Sequence, residues 1–579
     1  MASGLEIALA GVPILIIAVL LIGLLWPASR AMPVAWLAAV VIGFFVWNMP
    51  LEWLGAASLV GVMDAFEIIW IVFGALVLLY TLMRSGAVDR INQGFAAISE
   101  DKRVQIVLLA FFLATFLEGA AGFGTPAAVV APLLLALGFP ALAAVIAALI
   151  GHAIATTFGA VGTPIIVGIQ SSLSGNEAEI TEGGFTIAEY ATLASTWSAL
   201  FNAIVGVAMP LFAVGMVVYF FGEERSLKPV WSVTPLCLFA GFAFVVPYTA
   251  VAWLVGPELP SLIGAMVGGA ATVIVLKLGY LEPADEWDFP PREQWADHWV
   301  GEIEPGDGEM DNNEYSMSLA RAWAPYLILV VLLIATRVWS WLADGLQDPG
   351  LGGTIASDAL GTVTVGVVIE WSEIFGTTLS QSVPWLYVPG AWLILTALIS
   401  IPLYRMSTDD VVGAWGEAAG KLPSALIALV FVIAMVQIML LSGEHATAPE
   451  AGSMIVVLAD GTATALGPAY PLLAPTVGAL GAFIAGSITV SNITFGGFQF
   501  EVASTLGIPT QIIVGAQSVG AAIGNVIAIH NVIAALATVG LVGETGRVVR
   551  INLIPLTYYL AAGGLLTALF VYVLTPGLF

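Results

Sequence analysis

One acidic residue, Glu118, stands inside a long apolar region and is followed by glycines in FLEGAAGFGTP (116–126). A carboxyl group in a dry apolar environment is costly, and such groups usually mark ion or proton pathways in membrane proteins. We therefore interpret Glu118 as a proton-coupling group that binds and releases a proton. The alternative is a structural role, in which Glu118 is protonated or hydrogen-bonded to nearby backbone and only fixes the turn.

The glycines after Glu118 predict a break in a helix. Glycine allows the backbone to end one half-helix and to begin another, and Thr125 with Pro126 suits a cap and a first helical turn. Exposed N–H groups at a helix start attract anions. We expect Gly122, Phe123, Gly124 and Thr125 to contact an anionic substrate.

A second stretch, SITVSNITFGG (487–497), places polar groups in another apolar region. Ser487, Thr489, Ser491 and Asn492 are expected to bind substrate, because hydroxyl and amide groups have few structural reasons to lie in lipid. Neither stretch contains Arg or Lys. Dipoles, hydroxyls and amides must then hold the anion, which favours a small monoanion over a multiply charged one.

Other polar residues interrupt the apolar runs in the same two regions. His152 and His530 are candidate proton-coupling groups, with a packed neutral histidine as the alternative. Gln517 and Asn525 are predicted to contact substrate. Thr156, Thr157, Ser518 and Asn531 are further cavity candidates, whereas Asp64 and Glu67 are interpreted as interfacial.

Composition identifies the class of protein. The 579 residues are 59% hydrophobic and only 9% charged, which is typical of a polytopic membrane protein. Apolar stretches of the roughly 20 residues that span a bilayer recur along the chain, so we predict an all-α protein with about 12–16 membrane segments. We therefore expect the lipid bilayer to be a partner of this protein.

Several function classes are excluded. The single cysteine, Cys237, precludes an intramolecular disulfide, and no Cys/His spacing suggests a metal. The sequence shows neither a paired catalytic constellation nor a nucleotide-binding loop. We predict no enzymatic activity, no cofactor, no metal and no nucleic-acid partner.

The distribution of charge predicts the orientation of the chain. Lys and Arg cluster in alternate short loops, which are assigned to the cytoplasm by the positive-inside rule. Both termini then lie outside a plasma membrane. Much of the formal charge of -25 lies in an acidic loop, 281–315, which is expected to be solvated and partly mobile. Such acidic loops suit a salt-adapted, haloarchaeal-like cell.

An internal repeat supports the importance of the two broken regions. At an offset of 369 residues, LGFPALAAVIAALIGHAI (137–154) aligns without gaps to LGIPTQIIVGAQSVGAAI (506–523). The charge assignment inverts the two halves, so we predict two inverted repeats with cores at about 64–221 and 422–579 in one transmembrane domain (1–579).

Inverted repeats with Gly-interrupted segments at matching positions are typical of secondary transporters. We place the broken or re-entrant segments near 104–138 and 469–505 and the substrate site between them. An anion channel is the rival from another class, and it would not support uphill accumulation.

Three long motifs resemble the L-lactate permease family. They are LEGAAGFGTPAAVVAPLLLALGF (117–139), PLLAPTVGALGAFIAGSITVSN (471–492) and IGNVIAIHNVIAALATVGLVGE (523–544). The resemblance implies import of L-lactate, glycolate and related 2-hydroxymonocarboxylates by proton symport. A sodium-coupled carrier of another small carboxylate is the alternative. A homodimer is expected only by analogy with other transporters.

The chain departs from the family pattern at the second break. That pattern usually has an acidic residue where this chain has Ile488, and a lysine is common where it has Asn525. A Ser-Pro-Gln-Ser run is replaced by Ala528, Ile529, His530 and Asn531. These departures bear on the substrate and on the coupling ion.

Overall fold

A computed structural model describes residues 3–24, 26–96, 98–122, 124–303, 317–357 and 359–577. Within these ranges, thirteen helices are long and apolar enough to cross a membrane. The structure thus confirms the prediction of a mostly helical, polytopic membrane protein.

The N-terminal helices begin at recognisable caps. Ser3 and Glu6 form a capping box at the first helix, and Pro27 and Pro50 precede the second and third. The third helix has 34 residues and is about 50 Å long at 1.5 Å per residue, which exceeds the thickness of a bilayer core. These helices are α1 (Gly4–Ala18), α2 (Ala28–Phe45), α3 (Leu51–Arg84) and α4 (Ala87–Ala96).

Residues 102–172, here called the first broken block, form a chain of short helical pieces. The pieces are α5 (Lys102–Gln105), a π-helical stretch (Ile106–Leu113), α6 (Ala114–Ala120), α7 (Thr125–Ala136), α8 (Ala141–Gly151), a 3-10 stretch (Ala153–Phe158), α9 (Gly159–Thr163), a π-helical stretch (Pro164–Ile169) and α10 (Gln170–Ser172). The first three are continuous over Lys102–Ala120. A break follows α6, as the glycines predict.

The first broken block has two breaks with the same local structure. Each is a Gly-Thr-Pro triplet in which the glycine has a left-handed backbone, with φ of +75° at Gly124 and +80° at Gly162. The threonine of each donates its hydroxyl to the carbonyl three residues earlier. The expectation that Thr125 caps α7 is therefore wrong, because Gly124 occupies the cap and Thr125 is the first helical residue.

Hydropathy predicts connecting spans at about 192–221, 233–254, 258–280, 320–342, 388–404 and 422–441, and the observed helices depart from this prediction in places. The span at 192–221 consists of two helices, and a helix at Met454–Leu466 lies where an external loop is predicted at 442–468. Lys421, which the positive-inside rule predicts in a cytoplasmic loop, lies within a helix that begins at Thr408. The helices are α11 (Glu177–Glu182), α12 (Ile187–Gly206), α13 (Met209–Phe221), α14 (Lys228–Leu254), α15 (Pro260–Lys277), α16 (Leu319–Val338), α17 (Ser340–Leu346), α18 (Pro389–Tyr404), α19 (Thr408–Leu441) and α20 (Met454–Leu466).

Residues 470–538 form the second broken block. Its pieces are α21 (Tyr470–Ala485), α22 (Ile488–Leu506), α23 (Thr510–Gly524), a 3-10 turn (Asn525–Ile527) and α24 (Ile529–Thr538), and α25 (Thr545–Leu569) follows. The break lies at Gly486, which has φ of +60°, and at Ser487, which caps α22. At the offset of 369 residues, Gly122 and Phe123 align with Ser491 and Asn492, which predicts the break there. Both Ser491 and Asn492 are helical, because α22 already begins at Ile488.

A small sheet departs from the all-α prediction. Four antiparallel strands in the order β1-β2-β3-β4 lie within residues 343–388. This segment contains no Lys or Arg, so the positive-inside rule predicts an external loop there. Valine, isoleucine and threonine alternate within it, a pattern typical of short strands. The strands are β1 (Gly352–Ser357), β2 (Gly361–Gly366), β3 (Ile369–Ser372) and β4 (Gln381–Val383).

The described part of the acidic loop is packed rather than fully solvated. Arg103 is completely buried; it pairs with Asp101 at 2.6 Å and lies 3.4 Å from Asp285 of the loop. Trp299 of the loop is only 7% exposed. An apolar anchor and a buried guanidinium hold this segment, which charge composition alone does not reveal.

Helices α3 and α19 form the central pair of the fold. Both have 34 residues, and they run antiparallel, because Trp53 bonds to Leu441 at one end while Arg84 pairs with Glu417 at the other. Gly61 lies directly against the backbone of Ala434. The relation of the two halves by inversion stays a prediction.

Candidate functional site

A cavity lies between the two broken blocks. It is about 40 Å³ in volume, enough for roughly three water molecules. The first block contributes Glu118, Gly122, Gly124, Thr156, Gly159, Ala160 and Pro164, and the second contributes Gly486, Ser487, Ile488, Thr489, Asn525 and Asn531. The cavity is thus built from both breaks, as the sequence predicts for a site.

Glu118 is the only ionisable residue among these described lining residues. It lies in the last turn of α6 and is 4% exposed. Its Oε2 is buried and has no hydrogen-bond partner among the described residues. A carboxyl left unsatisfied in this way is poised to accept a proton or a new partner.

His152 lies behind Glu118, away from the cavity lining. Its Nδ1 is 2.6 Å from the carbonyl oxygen of Ala148, and since a carbonyl can only accept, Nδ1 carries the hydrogen. Its Nε2 lies 4.0 Å from Oε2 of Glu118. With the hydrogen on Nδ1, an uncharged imidazole has its lone pair on Nε2, the nitrogen that lies 4.0 Å from Oε2 of Glu118.

Gly159 fixes the position of the Glu118 carboxyl. A methyl group at this position would collide with Oε1 of Glu118. The adjacent residues Ala160 and Val161 have left-handed backbones, with φ of +43° and +54°. Non-glycine residues rarely adopt this conformation, and such strain concentrates at functional sites. The cavity wall at Gly159 and Ala160 therefore packs closely against the carboxyl group of Glu118.

Helix N-termini meet at the cavity. Gly124 caps α7, Ser487 caps α22, and Pro164 begins the helical segment 164–172, and all three line the cavity. The N-terminus of a helix carries a partial positive charge. Because no Lys or Arg is among the described lining residues, these helix ends supply the positive field for an anion.

Two asparagines complete the polar lining. Asn531 donates from Nδ2 to Oδ1 of Asn525 at 2.5 Å and weakly to the carbonyl of Gly486 at 3.4 Å. The hydroxyl of Thr489, which also lines the cavity, has no hydrogen-bond partner among the described residues. Donors and acceptors thus remain available to a bound molecule.

The structure separates the predicted site residues into two groups. Glu118, Gly122, Gly124, Ser487, Thr489 and Asn525 line the cavity. Phe123 and the side chain of His530 lie outside the described residues. Thr125, Ser491, Asn492 and Gln517 are not lining residues.

The residues that miss the cavity form a buried network beside it. Gln517 donates to the hydroxyl of Ser491 at 3.0 Å. Asn492 donates to the carbonyl of Pro164 at 2.9 Å and to Ser518 at 3.0 Å. This network ties the second block to the segment that begins at Pro164, so it positions the cavity wall.

Sequence reasoning missed four lining residues: Gly159, Ala160, Pro164 and Gly486. A signal for three of them was present. FGAVGTP (158–164) repeats the Gly-Thr-Pro triplet of the first break, and a second triplet in the same block indicates a second break.

A family model described as L-lactate permease matches residues 6–574. Glycolate permease GlcA of Escherichia coli is 28% identical, with 99% of this chain and 97% of that protein covered. The L-lactate permease of Escherichia coli is 26% identical over 94% of this chain and 89% of its own length.

Two solved transporter structures are more distantly similar. MtrF of Neisseria gonorrhoeae has a TM-score of 0.43 and 14% identity, with coverage of 87% of this chain and 81% of that chain. YdaH of Alcanivorax borkumensis has a TM-score of 0.40 and 16% identity, with coverage of 89% and 87%. The family match extends over both broken blocks and the helices that connect them, and the chain therefore belongs to the L-lactate permease family, as a multi-pass membrane transporter and not an enzyme.

Proposed function

We propose that this protein imports L-lactate and related small 2-hydroxymonocarboxylates, such as glycolate, across the plasma membrane by proton symport. The observation that carries the proposal is the cavity between the two broken blocks, where helix N-termini surround one unpartnered carboxyl group. The names of the relatives, an L-lactate permease and a glycolate permease, support the substrate class.

The charge of the cavity supports a monocarboxylate. A substrate anion beside an ionised Glu118 would place two negative charges in a space of about 40 Å³, where like charges repel strongly. Protonation of Glu118 removes this repulsion. Substrate and proton therefore favour each other's binding, which is the thermodynamic requirement for symport.

His152 provides a second place for the proton. Its Nε2 lone pair faces the carboxyl across 4.0 Å, so a small movement of either side chain allows transfer. In this mechanism Glu118 accepts the coupling proton from the cavity, and His152 holds or relays it as the broken segments rearrange.

Electroneutral transport is the expected result. Moving one unpaired charge across 100 mV is worth about 2.3 kcal/mol, and a co-transported proton removes this cost for a monoanion. The membrane potential alone should then have little effect on accumulation.

The test is uptake of labelled L-lactate into proteoliposomes under an inward proton gradient, in sodium-free buffer with high potassium chloride. A gradient of one pH unit stores about 1.4 kcal/mol and supports about tenfold accumulation at one proton per substrate. Accumulation that collapses when a protonophore is added would support proton symport.

Three outcomes would contradict the proposal. Uptake that begins only when sodium is added indicates sodium coupling. Uptake that never exceeds equilibrium indicates a channel. Uptake of neither lactate nor glycolate under any ion gradient contradicts the substrate class.

A further inference from the structure

We propose that Asn525 and Asn531 recognise the 2-hydroxyl group of the substrate, so that the cavity selects 2-hydroxy acids over unsubstituted acids of the same length. This inference rests on the proposed function and assigns specificity to one face of the cavity. Both side chains line the cavity, and they are only 7% and 6% exposed.

Hydrogen bonds fix the orientation of both amides. Nδ2 of Asn531 contacts two oxygens, Oδ1 of Asn525 and the carbonyl of Gly486, so that Nδ2 must be the donor on that side. Oδ1 of Asn531 is then left on the other side, close to Gly124, where an added methyl group would lie 2.9 Å from it. Two hydrogen bonds from Nδ2 hold the amide of Asn531 in this orientation.

The pair leaves one acceptor and one donor unused. Oδ1 of Asn531 receives no hydrogen bond from any described residue, and Nδ2 of Asn525 donates none, since its Oδ1 is occupied by Asn531. A 2-hydroxycarboxylate offers the complementary pair: its hydroxyl donates to Oδ1 of Asn531, and an oxygen of its carboxylate accepts from Nδ2 of Asn525.

Two other polar side chains of the lining are engaged with the backbone, and Thr489 offers only a single free hydroxyl. Ser487 accepts from the amide of Val490 at 3.3 Å, and Thr156 donates to the carbonyl of Ala153 at 2.6 Å. Glu118 is reserved for the proton. The asparagine pair is therefore the lining feature that best matches a hydroxyl next to a carboxylate.

An acid without the hydroxyl leaves the buried Oδ1 of Asn531 unsatisfied. Sites built to bind a substrate hydroxyl reject the analogue that lacks it, because a buried polar group then loses its partner. We expect discrimination of L-lactate over propionate by roughly 10-fold to 100-fold.

The experiment is competition against labelled L-lactate in proteoliposomes, with unlabelled L-lactate, propionate, glycolate or acetate as competitor. Wild-type protein is compared with Asn531→Leu, which keeps the size but removes the acceptor. Thr538→Val is the matched control, because Thr538 is on the same helix but its hydroxyl donates to Ala535 and is not part of the cavity.

The expected result is loss of discrimination in Asn531→Leu, with propionate carried as well as lactate, and unchanged discrimination in Thr538→Val. Equal loss of affinity for both acids would overturn the inference. If Asn531→Leu transports neither acid, thermal stabilisation by each acid in detergent replaces transport, and the same change in ratio is required.

Failure of the inference can be distinguished from failure of the proposed function. Wild-type protein that transports lactate and propionate equally overturns only the role of the asparagines. Wild-type protein that transports neither lactate nor glycolate overturns the transport assignment itself.

Discussion

Two buried carboxyl groups of this protein, Glu118 and Asp64, have opposite surroundings. Both are almost inaccessible, with 4% and 3% exposure. Oε2 of Glu118 has no hydrogen-bond partner among the described residues, whereas Asp64 accepts from the amides of Gln437, at 2.9 Å, and Gln381. The carboxyl of Glu118 is therefore free to bind a proton, whereas both oxygens of Asp64 already accept hydrogen bonds.

The hydrogen-bond partners of Asp64 belong to different elements of the fold. Gln437 belongs to α19, Gln381 to β4, and Gln437 also donates to the carbonyl of Ser171 at 3.2 Å. Asp64 therefore joins α3 to α19 and to the four-stranded sheet, and Gln437 extends this link to the end of the first broken block. We interpret Asp64 as a structural link, and Glu118 as the functional acid.

The largest expected effect is that of Glu118→Gln. The variant cannot bind a coupling proton, so accumulation should fall from about tenfold to about onefold under a gradient of one pH unit. Exchange of external for internal lactate should partly persist, because the helix ends still bind the anion. Gradient-driven accumulation and counterflow measure the two properties separately. Unchanged accumulation would remove Glu118 from the coupling role.

The next effect is that of Gly159→Ala, which tests whether the position of the Glu118 carboxyl matters. The added methyl group collides with Oε1 of Glu118 and must displace it. We expect initial lactate uptake to fall by roughly 10-fold or more, since a displacement of about 1 Å in a functional site has effects of this size or larger.

Gly416→Ala is the matched control for this change. Gly416 is an exposed position of α19, and an added methyl group meets no atom within 4 Å. Alanine favours the helix, so stability should stay equal or rise by up to about 1 kcal/mol, with uptake unchanged. Comparable losses in both variants would contradict the argument for Gly159.

A smaller and different effect is expected for Asp64→Asn. The substitution replaces one carboxylate oxygen with an NH2 group, so the amide of Gln437 or Gln381 loses its acceptor. A buried donor without an acceptor costs about 1–3 kcal/mol of stability. Thermal unfolding in detergent should show a lower Tm, while the accumulation ratio of the folded protein stays that of wild type. A variant with wild-type Tm but lost accumulation would reverse the roles of the two acids.

The smallest effect is expected at the surface, for Asp285→Asn. A hydrogen bond with Ser232 and the charge of Arg103 lower the pKa of Asp285 below its ordinary value. Its contribution to stability is therefore present above the ordinary pKa of an aspartate and is lost as the pH falls toward the lowered pKa. Because its side chain is 58% exposed, solvent screening limits the loss to less than about 1 kcal/mol.

Thermal unfolding of wild-type protein and Asp285→Asn between pH 7 and pH 3 measures this contribution. The difference in Tm should be small at neutral pH and should vanish at the acidic end. A difference that grows on acidification would contradict the sign of the pKa shift.

Local sequence signals predicted the first break well, missed the break at the second Gly-Thr-Pro triplet and predicted the lining only in part. Gly122 and Gly124 indicate a break because only glycine tolerates their left-handed backbone at no steric cost. Ser491 and Asn492 are polar for a different reason, since Ser491 bonds α22 to Gly478 of α21 and Asn492 bonds α22 to Pro164 of the first broken block. A polar residue in a membrane helix is expected to be buried in the protein, but its polarity does not show whether it lines the cavity or packs behind the cavity wall.

The sequence by itself determined the class of membrane protein, the approximate spans and the first break, because hydrophobic length and glycine conformation are local properties. The proton-coupling role of Glu118 stays a prediction. The tertiary structure decided which of two buried acids is left without a partner. It also brought Gly159 against Glu118 and Asn531 against Asn525. Those relations depend on contacts between elements far apart in the chain, and hydrogen-bond satisfaction in a closed cavity is a property of the assembled fold.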